Sequence, residues 1–125
     1  MDQDTKLSSI RDVVREFVQQ RNWQQFHSPK NLSMALAIEA AELMEHFQWL
    51  TVEESREVQK DEEKLTAIGE EIADVFCYTL ALVNELDLDL TSIFTRKMER
   101  NRAKYPVAEF RGRFGKDDPR PVSDE

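Results

Sequence analysis

From residue 1 to residue 105 the chain contains a single proline, Pro29, and a single glycine, Gly69. No part of that stretch shows the alternation of β-branched residues expected of a half-buried strand. Long segments without breakers, with apolar residues recurring every three or four positions, fold as helices that pack on one another. The spacing predicts four main helices. The first covers about residues 8–21, with Ile10, Val13, Val14, Phe17 and Val18 on its apolar face. The loop "NWQQFHSPKN" follows, where Pro29 interrupts the pattern and Asn31 or Ser33 is the expected cap of a second helix ending near Leu50. "TVEESREVQKDEE" reads as a short solvated helix and a turn. The third helix covers about residues 63–86, and "LDLDLTSI" separates it from a fourth, capped by Asp89 or Thr91 and stopped by Pro106. The expected fold is all-α, of the four-helix-bundle type, in one domain over residues 1–106. The last twenty residues, 106–125, hold three of the four prolines and two of the three glycines, and residues 107–125 are expected to form a mostly flexible tail.

Two of these helices carry carboxylates where a core belongs. On the second, Leu32, Leu36, Leu43, Phe47 and Leu50 form one stripe at 100° per residue, with Glu39 in its middle and Glu42 at its edge. On the third, the only charge between Ile72 and Val83 is Asp74. Its main stripe reads Leu65, Ile72, Phe76, Thr79 and Val83, and a second face carries Glu71, Asp74 and Tyr78. Residues three apart project side by side, so Glu39 with Glu42 and Glu71 with Asp74 make two pairs. On facing antiparallel helices these four carboxylates enter one pocket, repel one another and raise one another's pKa values. A hard divalent cation with oxygen ligands, such as Mg²⁺, relieves that repulsion. E-x-x-E spacing also arises by chance in a chain with 25 acidic residues; Glu54 and Glu57 share it on a solvated face. A di-iron site needs E-x-x-H, and neither His27 nor His46 has a glutamate three residues earlier.

Composition narrows the partners. At 125 residues and 14.7 kDa, with a net charge of −8, the chain is a poor ligand for a nucleic-acid polymer or an anionic membrane. It has no 18-residue apolar run and no signal-like N-terminus, so a cytoplasmic location is expected. Cys77, within "IADVFCYTLALV", reads as a buried, inert thiol.

The order of motifs resembles a known family. Glu39 and Glu42, then 28 intervening residues, then Glu71 and Asp74 are similar to the paired E-x-x-E and E-x-x-D signature of the all-α, MazG-like NTP pyrophosphohydrolases. "NWQQFHSPKNL", "FQWL", "DVFCYTLAL" and "KMERNRAKYP" extend the resemblance toward the dCTP pyrophosphatase branch, over roughly residues 10–106. It implies Mg²⁺-dependent hydrolysis of a nucleoside triphosphate to monophosphate and pyrophosphate, with Mn²⁺ as a possible substitute. The preferred substrate would be dCTP or a modified pyrimidine deoxynucleotide. It also implies a homo-oligomer, dimer or tetramer, whose subunits complete the bundle. Glu39, Glu42, Glu71 and Asp74 are then the metal ligands and catalytic carboxylates. Trp23 and Trp49 lie in motifs resembling the nucleobase pocket, and Tyr78 resembles a pocket residue. His27 and Asn31 either contact the base or sugar or pack the loop. Lys97 and Asn101, four apart on a basic helix, are placed against the triphosphate. The competing readings are a helical module that binds nucleotide or protein without turnover, and an all-α dUTPase-type hydrolase.

Overall fold

A computed structural model describes residues 1–124, and among them every regular element is a helix. The chain divides into two compact units, Met1–Asp87 and a second beginning at Leu88.

The first unit holds four helices. α1 (Leu7–Gln20) leads through Asn22, in the left-handed region at φ 51°, into a single 3₁₀ turn at Trp23–Gln25. α2 (Pro29–Glu45) is capped by Ser28, whose side chain accepts a hydrogen bond from the Asn31 backbone N–H at 3.1 Å. The cap therefore lies earlier than Asn31 or Ser33. Pro29 starts the helix, because at the first position its missing N–H has no intrahelical partner to lose. α2 also ends at Glu45, and irregular turns carry the chain on to Leu50. α3 (Val52–Glu57) opens on a reciprocal capping box between Thr51 and Glu54. α4 (Glu62–Glu85), capped by Asp61, packs against both α2 and α1.

α4 runs antiparallel to α2. Leu50, just past α2, lies with Asp61 and Lys64 around one shallow depression, whereas His27, just before α2, shares a cavity with Ala81 and Asn84. The fully buried side chains are Leu32 and Leu80, joined in the core by Val14, Ile68, Ala81 and Val83. Asn84 ties α4 to α1. Its Oδ1 accepts from Arg11 Nε at 3.0 Å and Arg15 Nη2 at 3.2 Å, and its Nδ2 donates to the Arg11 carbonyl at 3.1 Å.

The expected core stripe of α4 is corrected in part. Val83 is buried and Thr79 half-buried, but Leu65, Ile72 and Phe76 are exposed, at 46%, 51% and 42%, and the rest of the packed face is Ile68, Leu80 and Ala81. Periodicity gave no way to choose, because this helix is apolar on nearly all sides. Cys77 is likewise exposed rather than buried. Partial burial and the neighbouring Asp74 carboxylate still push its thiol pKa up, so it stays protonated at neutral pH.

The second unit contains α5 (Leu90–Lys104), capped by Asp89, and the short α6 (Val107–Phe110), whose Phe110 ring meets Tyr105 edge to face at 5.2 Å. In the segment beyond, the buried Asp118 carboxylate accepts from the backbone N–H groups of Phe114 and Arg120, and from the Arg120 guanidinium, which holds its pKa well below the usual range.

Candidate active site

Antiparallel packing of α2 on α4 makes the acidic cluster. One carboxylate oxygen from each of Glu39, Glu42 and Glu71 lies within 4.8 Å of the other two. Glu39 and Glu71 are half-buried, and each keeps one Oε2 atom buried with no hydrogen-bond partner among the described residues. Unpartnered buried carboxylate oxygens cost several kcal/mol unless something satisfies them. Burial, a shared hydrogen bond with Glu42, and the charges of Glu42, Asp74 and Glu71 raise the Glu39 pKa from 4.5 to about 7. Near neutral pH the cluster therefore still holds a proton that an isolated glutamate would have released.

Asp74 falls outside the group of three, although its charge acts on Glu39, Tyr78 and Cys77. Asp74 is exposed, so its side chain has room to change rotamer toward a ligand. Tyr78, half-buried one turn further along α4, has its phenol pKa raised by burial and then by Glu39, and remains a neutral hydroxyl.

The set Glu39, Glu42 and Glu71 suits a hard divalent cation. It offers only carboxylate oxygens, two of them buried and unpartnered, and no soft ligand among the clustered groups.

The other residues singled out in the sequence fall in three places. Trp23 and His27 are neighbours, with ring centroids 6.3 Å apart, and Phe17 meets Trp23 edge to face at 5.6 Å. His27 lines a cavity of about 180 Å³ together with Val14, Val18, Ala81 and the polar groups of Arg15, Gln19, Gln24, Asn84 and Glu85. No carboxylate of the acidic cluster lines it. Asn31 uses its side-chain Nδ2 to donate to the Phe26 carbonyl at 3.1 Å, a loop-packing contact. Trp49 sits at the opposite end of α2 and is 87% exposed, so the two tryptophans share no pocket within the first unit. Lys97 and Asn101 belong to α5 in the second unit; Lys97 is exposed, and Asn101 is half-buried with its amide on Met98 Sδ at 3.8 Å.

Sequence reasoning passed over Arg15 and Asn84. An arginine on an acidic protein's first helix and an asparagine near a helix end carry no spacing signal, and only the packing of α1 on α4 joins them.

Residues 34–114 match the profile of the MazG-like family. The chain is 40% identical over 106 residues to a protein named dCTP pyrophosphatase 1 from Bos taurus, covering 85% of this chain and 63% of that relative. A human protein of the same name is 40% identical over 101 residues, covering 81% of this chain and 59% of the relative. The chain thus spans about three fifths of the length of the curated relatives it matches. Among solved structures, a crystal structure of a pyrophosphatase from Archaeoglobus fulgidus superposes with a TM-score of 0.73 at 38% identity, covering 80% of this chain and 92% of that one.

Proposed function

Because the chain belongs to the MazG-like family, we propose that it hydrolyses a nucleoside triphosphate to the monophosphate and pyrophosphate, with dCTP or a modified pyrimidine deoxynucleotide as substrate. The observation that carries this reading is the cluster of Glu39, Glu42 and Glu71, with two buried, unpartnered carboxylate oxygens on facing helices. The names of the relatives support the reaction and the base.

In this reading Glu39, Glu42 and Glu71 would hold Mg²⁺, or Mn²⁺ in its place, with Asp74 swinging in as a fourth ligand. Such a cation, when bound, neutralises triphosphate charge and lowers the pKa of water beside it. The Glu39 pKa is raised, and its buried Oε2 has no hydrogen-bond partner among the described residues, so that atom is the natural acceptor for a proton from an attacking water. Tyr78, neutral and adjacent, is a hydrogen-bond donor along the path from the cluster toward the His27 cavity. Lys97 and Asn101, one turn apart on α5, offer a cation and an amide of the kind that binds phosphate oxygens. Trp23 and His27 flank the base, and Asn31 holds their loop in shape.

Trp49, 87% exposed, and the uncovered Leu65, Ile72 and Phe76 face of α4 support a homo-oligomer in which a second copy completes the bundle. There Trp49 would stack on a base held by the neighbouring copy, a contact of about 1–3 kcal/mol. No helix among the described residues is long and apolar enough to cross a membrane, and we place the reaction in the cytoplasm.

Turnover of dCTP with Mg²⁺ in ¹⁸O-labelled water tests the reaction. Attack at the α-phosphorus puts label in dCMP and none in pyrophosphate. Release of dCDP and labelled phosphate would reject the reading, and binding without turnover would favour the non-catalytic module.

A further inference from the structure

The cavity around His27 has two properties that bear on substrate choice. One is size. At about 180 Å³ it is close to the roughly 150 Å³ cavity that accepts one benzene ring, so a single ring fills it and a fused two-ring base would extend out through its open side. Val14, Val18 and Ala81 supply apolar wall for the faces of such a ring. The other is the fixed polarity of its rim. Arg15 is held from two sides, Nη1 on Asp12 Oδ1 at 2.5 Å and Nη2 on Asn84 Oδ1 at 3.2 Å. Asn84 is in turn held in place, since its Oδ1 also accepts from Arg11 and one of its two Nδ2 N–H bonds donates to the Arg11 carbonyl. Arg15 therefore reaches the cavity as a pinned group that only donates, with three of its five N–H bonds unspoken for. Glu85 lines the same cavity and, when ionised, only accepts.

The cavity also stands at a suitable distance from the acidic cluster. Ala81 is seven residues beyond Asp74 on α4, about 10 Å along the axis, and Tyr78 lies between them. That span fits a nucleoside with its ring among Val14, Val18 and Ala81 and its α-phosphate beside the carboxylates.

We infer that Arg15, anchored by Asn84 and Asp12, is a base-reading residue of this chain. With Glu85 lining the same cavity, it selects a single-ring base that presents adjacent acceptors next to an exocyclic amine. The cytosine edge offers that set: O2 and N3 accept from the guanidinium fork, and N4 donates to the carboxylate. Uracil and thymine turn an N–H toward the fork and a carbonyl toward Glu85, so they lose one contact and face repulsion at another. A purine overfills the cavity and binds more weakly. The inference rests on the hydrolase reading for the identity of the ligand, but its test does not need turnover.

The test is calorimetric binding of dCMP, dUMP and dAMP to the full wild-type chain, since monophosphates are not consumed. Expected is a dCMP dissociation constant about tenfold or more below that of dUMP, the discrimination of one good fork contact, with dAMP weaker still. Arg15→Leu, which keeps bulk but donates nothing, should bring dCMP and dUMP to within about twofold. Arg15→Lys, which keeps the charge and the solubility but loses the fork, should fall between them and covers the case in which the leucine variant does not fold. In wild-type chain labelled with ¹⁵N, dCMP should also shift the His27 ring resonances. Equal binding of dAMP and dCMP, an unchanged dCMP-to-dUMP ratio in either variant, or no binding of dCMP would overturn the inference. A wild-type chain that shows this binding order and releases no pyrophosphate from any triphosphate would instead overturn the hydrolase reading and leave Arg15 in its role.

Discussion

Glu39 is the side chain at which folding, the proposed metal site and the proposed chemistry meet. Its folded pKa of about 7 lies above its ordinary 4.5, so between those values the folded state holds a proton that the unfolded chain has released. The sign follows from linkage: metal-free stability is fullest below pH 4.5, declines as pH rises toward 7, and levels off above it. Thermal melts of the metal-free chain from pH 4.5 to 8 should show that decline, and Glu39→Gln should flatten it and melt at or above wild type at pH 8. The same substitution should lower turnover by at least two orders of magnitude at saturating Mg²⁺. A variant that keeps wild-type turnover would remove Glu39 from the site. Cation binding must expel the shared proton, so Mg²⁺ affinity should fall below pH 7. The carboxylates themselves were legible as residues, from their place on apolar stripes. That Asp74 stands apart from the other three was not, because wheel projection gives an angle and not a rotamer.

At the scale of elements, the helices were legible and their ends were less so. Long runs without breakers set α1, α4 and α5 to within a few residues. The start of α2 differs by local chemistry: Ser28 accepts from the Asn31 N–H and Pro29 fills the first turn. Removing that hydroxyl in Ser28→Ala should cost about 1 kcal/mol, read as a drop in denaturation midpoint with an unchanged slope. Loss of several kcal/mol would mean that Ser28 does more than cap. α4 taught the opposite lesson. A helix apolar on nearly every side has no periodicity to declare which face meets α1 and α2, and the Leu65, Ile72 and Phe76 side was left uncovered.

Across the whole molecule, the charge is uneven. Residues 1–87 carry eight basic and 18 acidic residues, and residues 88–125 carry nine and seven. The core of the first unit is thin for its length, with six hydrophobic residues buried. Exposed Ile38, Ile72, Phe76 and Trp49 are more apolar surface than a lone chain of this size usually leaves in water. Sedimentation at micromolar concentration should therefore give a dimer or tetramer. Ile72→Asp should shift it toward the 14.7 kDa chain while helicity persists. A wild-type chain that sediments as a monomer and still hydrolyses nucleotide would defeat this expectation.

By itself the sequence determined the all-helical class and the pairing of acidic residues three apart, and its ordered motifs pointed to the family. These are local properties: backbone propensity and side-chain period act within a few residues and are written in order along the chain. Only the tertiary structure decided which face of α4 is buried, that Trp23 and Trp49 lie at opposite ends, and that Arg11, Arg15 and Asn84 meet beside a cavity of about 180 Å³. Those contacts join positions about 70 residues apart, and nothing in the local pattern encodes such a meeting until the helices pack.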